Sequence, residues 1–183
     1  MSADLKFMTS ADPVAPPSSV VSKLAKHHDD LLDPGESFIA AVRCGAADRL
    51  APGAVFGKLG PVGRRMQRSL AADDLEERAR QVRVYLHRRG LDQVEFPPSR
   101  VGYVIALTQF RVILFDASGR KFLSDSPVRM FLDEIDVEGD TIFLFIEGKE
   151  AAAVAIWEDD ETATDFVERY RETQRAGAQR QAS

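Results

Sequence analysis

The residues best placed to do chemistry are basic. Between Arg49 and Ala72 there is no Asp or Glu, and Arg49, Lys58, Arg64, Arg65 and Arg68 supply five positive charges among Gly53, Gly57, Gly60 and Gly63. Glycine next to Lys or Arg lets backbone amides close on an oxyanion, so this stretch is a candidate phosphate site. Its ligand would be an anionic lipid, a nucleotide or another acidic surface, held by Lys58, Arg64, Arg65 and Arg68. The opposite pole is acidic: Asp133, Glu134, Asp136, Glu138 and Asp140 fall within eight residues, and Glu158 to Glu161 adds four more carboxylates. The molecule is therefore strongly polar, and a second reading stays open in which the basic stretch is a solvated loop pairing internally with the acidic turn.

Other chemistries fail on spacing. Counting back from Gly57-Lys58, a Walker phosphate loop needs glycine where Pro52 stands and Ser or Thr where Leu59 stands. Gly57, Gly60 and Gly63 lack dinucleotide spacing and do not directly follow a strand. His27 and His28 adjoin Asp29 and Asp30, but neighbours on a helix point about 100° apart and do not converge on one ion. His87, beside Arg88 and Arg89, complements a helix C-terminus. Cys44 is the only cysteine, which excludes an internal disulfide, and no His motif follows it at a spacing that would make it a nucleophile. We therefore expect no catalytic residue, no metal and no cofactor.

The elements that must position these residues follow from pattern. A length of 183 residues suits one domain with appendages. No apolar run approaches the roughly 20 residues of a membrane helix, and the N-terminus lacks the apolar core of a signal peptide. With a net charge of -5, generic nucleic-acid binding is also disfavoured. Residues 1–17, rich in Ala, Ser, Asp and Pro, read as a flexible arm. Val20, Leu24, Leu31 and Leu32 predict a surface helix over 19–33, ended by Asp33-Pro34-Gly35. Glu36 to Cys44 reads as a strand, and Gly45 to Leu70 as irregular chain punctuated by Gly and Pro. Asp73 to Arg89 predicts a helix with Leu75, Ala79, Val82 and Leu86 as its packing stripe and Gly90 as its C-cap.

After Phe96-Pro97-Pro98 come six short strands: Gly102 to Thr108, Arg111 to Asp116, Lys121 to Asp125, Val128 to Asp133, Thr141 to Glu147 and Ala151 to Trp157. A helix from about Asp160 to Gln174 follows, with Ala163, Phe166, Val167 and Tyr170 on one face. Residues 176–183 read as a flexible tail. Seven antiparallel strands need to curl or split to protect their edges, and a terminal helix can plug one open end.

The order and local sequence resemble the bacterial pleckstrin-homology-like domains and, more loosely, the GRAM domains. The resemblance lies in Gly35-Glu36-Ser37-Phe38-Ile39-Ala40-Ala41 and in Val104 to Phe115, where an apolar strand ending in Thr108 is followed by two turn residues, Arg111 and a second apolar strand. Pro127 to Ile135, Thr141 to Phe145 and Phe166 to Tyr170 resemble later family segments. It implies an α+β, mainly β fold: a seven-stranded, partly open antiparallel barrel or sandwich capped by a C-terminal helix. One domain would span 18–175, with the helix at 19–33 and a helical insertion at 46–100 after the first strand. Phosphoinositide-binding relatives place basic residues on the first strands, whereas Tyr103 to Thr108 has none. Arg111 is expected to pair with an acidic neighbour or a turn carbonyl. The function expected is a non-catalytic binding or scaffolding domain in a bacterial cytoplasm, recognising a protein partner or itself. The alternative is peripheral binding at the inner membrane face, or phospholigand binding, through the basic insertion.

Overall fold

The structure, a computed structural model, describes residues 19–47, 61–97, 99, 101–128, 130–137 and 140–181; side chains at 61–74 and 180–181 lie outside that description. It is an α+β fold built on an unclosed, mostly antiparallel sheet of eight strands with three α-helices. In chain order these are α1 (Ser19–His27), β1 (Phe38–Ala46), α2 (Pro61–Arg88), β2 (Asp92–Gln93), β3 (Tyr103–Thr108), β4 (Arg111–Asp116), β5 (Phe122–Pro127), β6 (Phe131–Val137), β7 (Asp140–Glu147), β8 (Glu150–Ile156) and α3 (Asp160–Gln181). The strands run β5-β4-β3-β1-β8-β7-β6 across the sheet. Each of the seven expected strands is present within a few residues of its expected bounds.

Period-two alternation explains how the sheet curls around one interior. Ala40, Val42 and Cys44 of β1, Ile105 and Leu107 of β3, Phe143 and Phe145 of β7 and Val154 of β8 share one buried cluster with Phe166, Val167 and Tyr170 of α3. The terminal helix plugs that interior, as its apolar stripe predicts, and each large side chain so buried contributes roughly 2 kcal/mol. A register shift between Phe38 and Ala40 turns Phe38 to the outer face while Ala40 stays inside.

Both outer faces are covered as well. Val21 and Leu24 of α1 pack on Phe38, Ala41, Val104, Ala106, Ile113 and Phe115. On the other half, Val82 and Leu86 of α2 pack on Ile142, Leu144 and Ile146 of β7 and on Ala151, Ala153 and Ala155 of β8. The row of alanines lets the helix approach closely. Because β3 is covered on both faces, all six of its residues are buried.

Four expectations need correction. Helix α2 begins at Pro61 rather than Asp73, so 61–70 is helical, not irregular. Proline is tolerated at a first helical position, and the Arg, Met, Gln, Leu and Ala that follow outweigh the roughly 1 kcal/mol cost of Gly63. At its other end the expected cap is present: Gly90 has φ 66°, and the amides of Gly90 and Leu91 donate to the carbonyls of His87 and Leu86 at 3.0 and 2.9 Å. Helix α1 stops at His27 and gives way to a 3-10 turn at Asp29–Leu31, because acidic residues oppose a helix C-terminus and His28 leaves helical geometry. Helix α3 continues past Gln174 to Gln181, through what was expected to be a tail. Finally, β5 runs on through Ser126 and Pro127, which fall between the expected strands Lys121 to Asp125 and Val128 to Asp133, and β6 begins only at Phe131. Proline is permitted there because β5 is a terminal strand.

The short β2 was not expected. Its parallel pairing with β8 sets Asp92 opposite Glu150, and the amides of Asp92 and Val94 donate to Lys149 and Ala151 carbonyls at 2.7 and 2.9 Å.

Candidate functional site

Of the four candidate anion-binding residues, Lys58 lies outside the described residues. Arg64, Arg65 and Arg68 occupy the first turns of α2, and their side chains lie outside the description. A nest of free amides does not extend through them, since a helix past its first turn commits its N–H groups to carbonyls four residues back.

The acidic pole is partnered by arginines from elsewhere. Arg89 bonds Asp133 and also donates to the Tyr85 hydroxyl at 3.0 Å, which itself donates to Asp133 at 3.1 Å. Arg78 pairs with Asp140, and Arg171 of α3 donates to Glu134 at 2.5 Å. Burial pushes the Asp133 carboxyl up, but its bonds to the Glu134 amide, Arg89 and Tyr85 outweigh this and hold it below the ordinary range. The second half of α2 is thus stitched to the acidic strand.

A second polar constellation sits between the 3-10 turn that follows α1 and the sheet. Glu36 is bound by Arg111, whose Nε and Nη2 donate to its two oxygens at 3.0 and 2.9 Å. The Thr108 hydroxyl donates to Glu36 at 2.5 Å and accepts the Phe110 and Arg111 amides at 3.2 and 3.1 Å. The Asp33 amide also donates to Glu36, while Arg111 reaches the Leu31 carbonyl at 2.7 Å and Asp125 at 2.6 Å. Burial raises the Glu36 pKa, and these donors more than reverse it. Arg111 therefore binds both an acidic neighbour and a carbonyl, as expected, and every contact serves the fold.

An opening with room for a ligand lies at the mouth of the curled sheet. A cavity of about 220 Å³ is enclosed by Val94 to Pro97, by Val112 and Leu114 of β4, by Ser124 to Ser126 of β5, and by Met130, Phe145, Glu147, Glu150 and Ala152. Register explains why it exists. Leu114 faces Ser124 and Val112 faces Ser126 across the β4–β5 ladder, so two serines stand where the rest of the interior carries large apolar side chains. Phe96 packs on Tyr103 at 5.4 Å between ring centroids and forms one wall. A second, more open groove of about 560 Å³ lies between α2 and β6.

The remaining candidates are structural. Cys44 is buried, and burial pushes its thiol up, away from nucleophilic thiolate. His28, expected on a surface helix, stacks on Phe115 at 4.6 Å and places Nε2 2.7 Å from the Gly119 carbonyl, joining α1 to the β4–β5 turn. Nothing in the sequence around His28 signals that partner. Trp157 packs against Gly45 and Gly102, where any Cβ would overlap its ring. Among the described residues, no group of three His, Cys, Asp or Glu is placed to hold a metal ion, and no helix is long and apolar enough to cross a membrane. Comparison of the sequence with protein-family models and with curated proteins finds no match.

Proposed function

We propose that the chain is a non-catalytic binding domain of the pleckstrin-homology-like type that recognises a segment of a protein partner, or of a second copy, along an open edge of its sheet in a bacterial cytoplasm. The observation that carries this reading is the unclosed sheet: β5 and β6 end the strand path, and a cavity opens beside each. An unpaired edge offers main-chain hydrogen bonds to an added strand, and an adjacent pocket supplies selectivity. Seven long strands and a plugging helix also support the family assignment. Peptides selected from a random displayed library against the whole chain test the reading. They are expected to slow amide hydrogen exchange along Phe122–Pro127 or Phe131–Val137. A selection that yields no peptide protecting either strand overturns it.

A second reading, peripheral binding to an anionic surface, is favoured by the extra length of α2. Arg64, Arg65 and Arg68 fall within its first turns, and no Asp or Glu stands among residues 61–72, so an anionic surface would meet a run of positive charge.

A further inference from the structure

The cavity at the sheet mouth has a size, a floor and a rim that together specify an occupant. Its volume, about 220 Å³, falls below the roughly 300 Å³ at which sites for drug-sized ligands begin, so it suits one long side chain. The floor is apolar: Val112, Leu114, Phe145 and Ala152 contribute to it. The rim is acidic, formed by Glu95, Asp125, Glu147 and Glu150, and no lysine, arginine or histidine lines the cavity among the described residues. Asp125 is bonded to Arg111, and Glu95 and Glu150 carry the field at the mouth.

We infer that this cavity receives the side chain of a lysine or arginine carried by an extended segment of a partner protein that adds alongside β5. A basic side chain is the one chemistry that satisfies both parts of the site. Its methylene stem covers apolar surface while its charged head stays at the wet rim, as long cationic side chains do elsewhere. An acidic side chain would be repelled by Glu95 and Glu150, and a purely apolar one would leave the rim unused. Ser124 and Ser126 fit the same picture: they sit on the terminal strand itself, so a segment hydrogen-bonded along β5 passes directly over the opening they create. This inference rests on the proposed binding of a protein segment and adds the site and the charge of what is bound.

The test is titration of the nitrogen-15-labelled full chain with the peptide acetyl-Val-Thr-Lys-Val-Thr-amide and with counterparts carrying Gln or Glu in place of Lys. The Lys peptide is expected to shift the amide resonances of Val94 to Phe96 and Ser124 to Ser126. Its affinity should fall about tenfold in the Glu95→Gln/Glu150→Gln variant and should weaken with added salt. The Ser124→Leu variant, which fills the cavity, should lose these shifts while its circular dichroism matches the parent. Equal binding of the Lys and Gln peptides at these resonances overturns the charge inference and leaves segment recognition standing. If the Glu95→Gln/Glu150→Gln variant binds the Lys peptide as tightly as the parent, the charge inference is likewise overturned. Peptides that shift none of these resonances remove both the occupant and this edge as a binding site.

Discussion

Replacing Glu36 by glutamine tests whether the polar knot holds the 3-10 turn after α1 to the sheet. The Glu36 side chain is fully buried while that of Arg111 is 21% exposed. Breaking a buried pair costs roughly 3–5 kcal/mol because the partner charge is stranded. Here Arg111 keeps Asp125 and the Leu31 carbonyl, so the low end, about 3 kcal/mol, is the appropriate expectation. For a chain of this size that corresponds to a melting point lower by roughly 6–12 °C. Urea unfolding followed by the fluorescence of Trp157, the only tryptophan, measures it directly. The pH dependence gives a second, sharper reading. The folded pKa of Glu36 lies below its unfolded value, so its contribution is fully present above about pH 4.3 and is lost as pH falls through the folded pKa. The difference between parent and variant should be flat from about pH 5 to 8 and narrow on acidification below that range. A loss under about 1 kcal/mol, or a difference that does not shrink in acid, refutes the reasoning. The Glu36→Met/Arg111→Met double variant should be less destabilised than the two single variants added together, since no charge is then left buried alone.

Gly102→Ala should cost roughly 1–3 kcal/mol and shift the tryptophan emission, because a Cβ there overlaps both the Trp157 ring and the Cys44 carbonyl at a φ of 77°; unchanged emission and stability would show that the ring does not occupy that notch. Leu86→Ala, at a site 1% exposed between α2 and the alanine row, should lower the urea midpoint by the equivalent of roughly 2–5 kcal/mol. A much smaller loss would mean that α2 does not pack on β7 and β8. Cys44 should resist an aromatic disulfide reagent in buffer and react once urea unfolds the chain; labelling at the rate of a free thiol in buffer would contradict its burial. Changing Lys58, Arg64, Arg65 and Arg68 together to Gln should abolish salt-sensitive pelleting with phosphatidylserine vesicles if the basic helix binds membranes. Absence of pelleting by the parent chain removes that second reading.

The strands were legible because their apolar alternation and turn residues are local signals, and curling follows from the need to protect edges. The plug formed by Phe166, Val167 and Tyr170 was legible for the same reason, as a helical stripe with nowhere else to go. The start of α2 was not. Gly and Pro punctuation around residue 60 reads as irregular chain, yet proline at a first helical turn costs nothing and the helix-forming residues after it decide the outcome. The same weighing misplaced the end of α3, where Gly177 sits among Ala, Gln and Arg. In each case a local breaker was given more weight than the sum of propensities around it.

The candidate site shows a different limit. Each wall of the mouth cavity comes from a separate stretch of chain, and the feature that opens it is an absence: small serines opposite Val112 and Leu114. In sequence, Ser124 lies in an expected strand and Ser126 falls just beyond it, and neither signals a cavity; only the pairing of β5 with β4 makes them two gaps in an apolar interior. The basic stretch, by contrast, is contiguous and easily seen, but visibility along the chain is not convergence in space. The arginines that neutralise the acidic pole, Arg78, Arg89 and Arg171, come from the second half of α2, the turn that ends it and α3. With Asp133, Glu134 and Asp140 paired in that way, the acidic groups that line a cavity with no Lys, Arg or His among its described wall residues lie at the other end of β7, where Glu147 and Glu150 flank the turn and Glu95 lines the same opening. A charge search guided by net content alone would have gone to the wrong end of that strand.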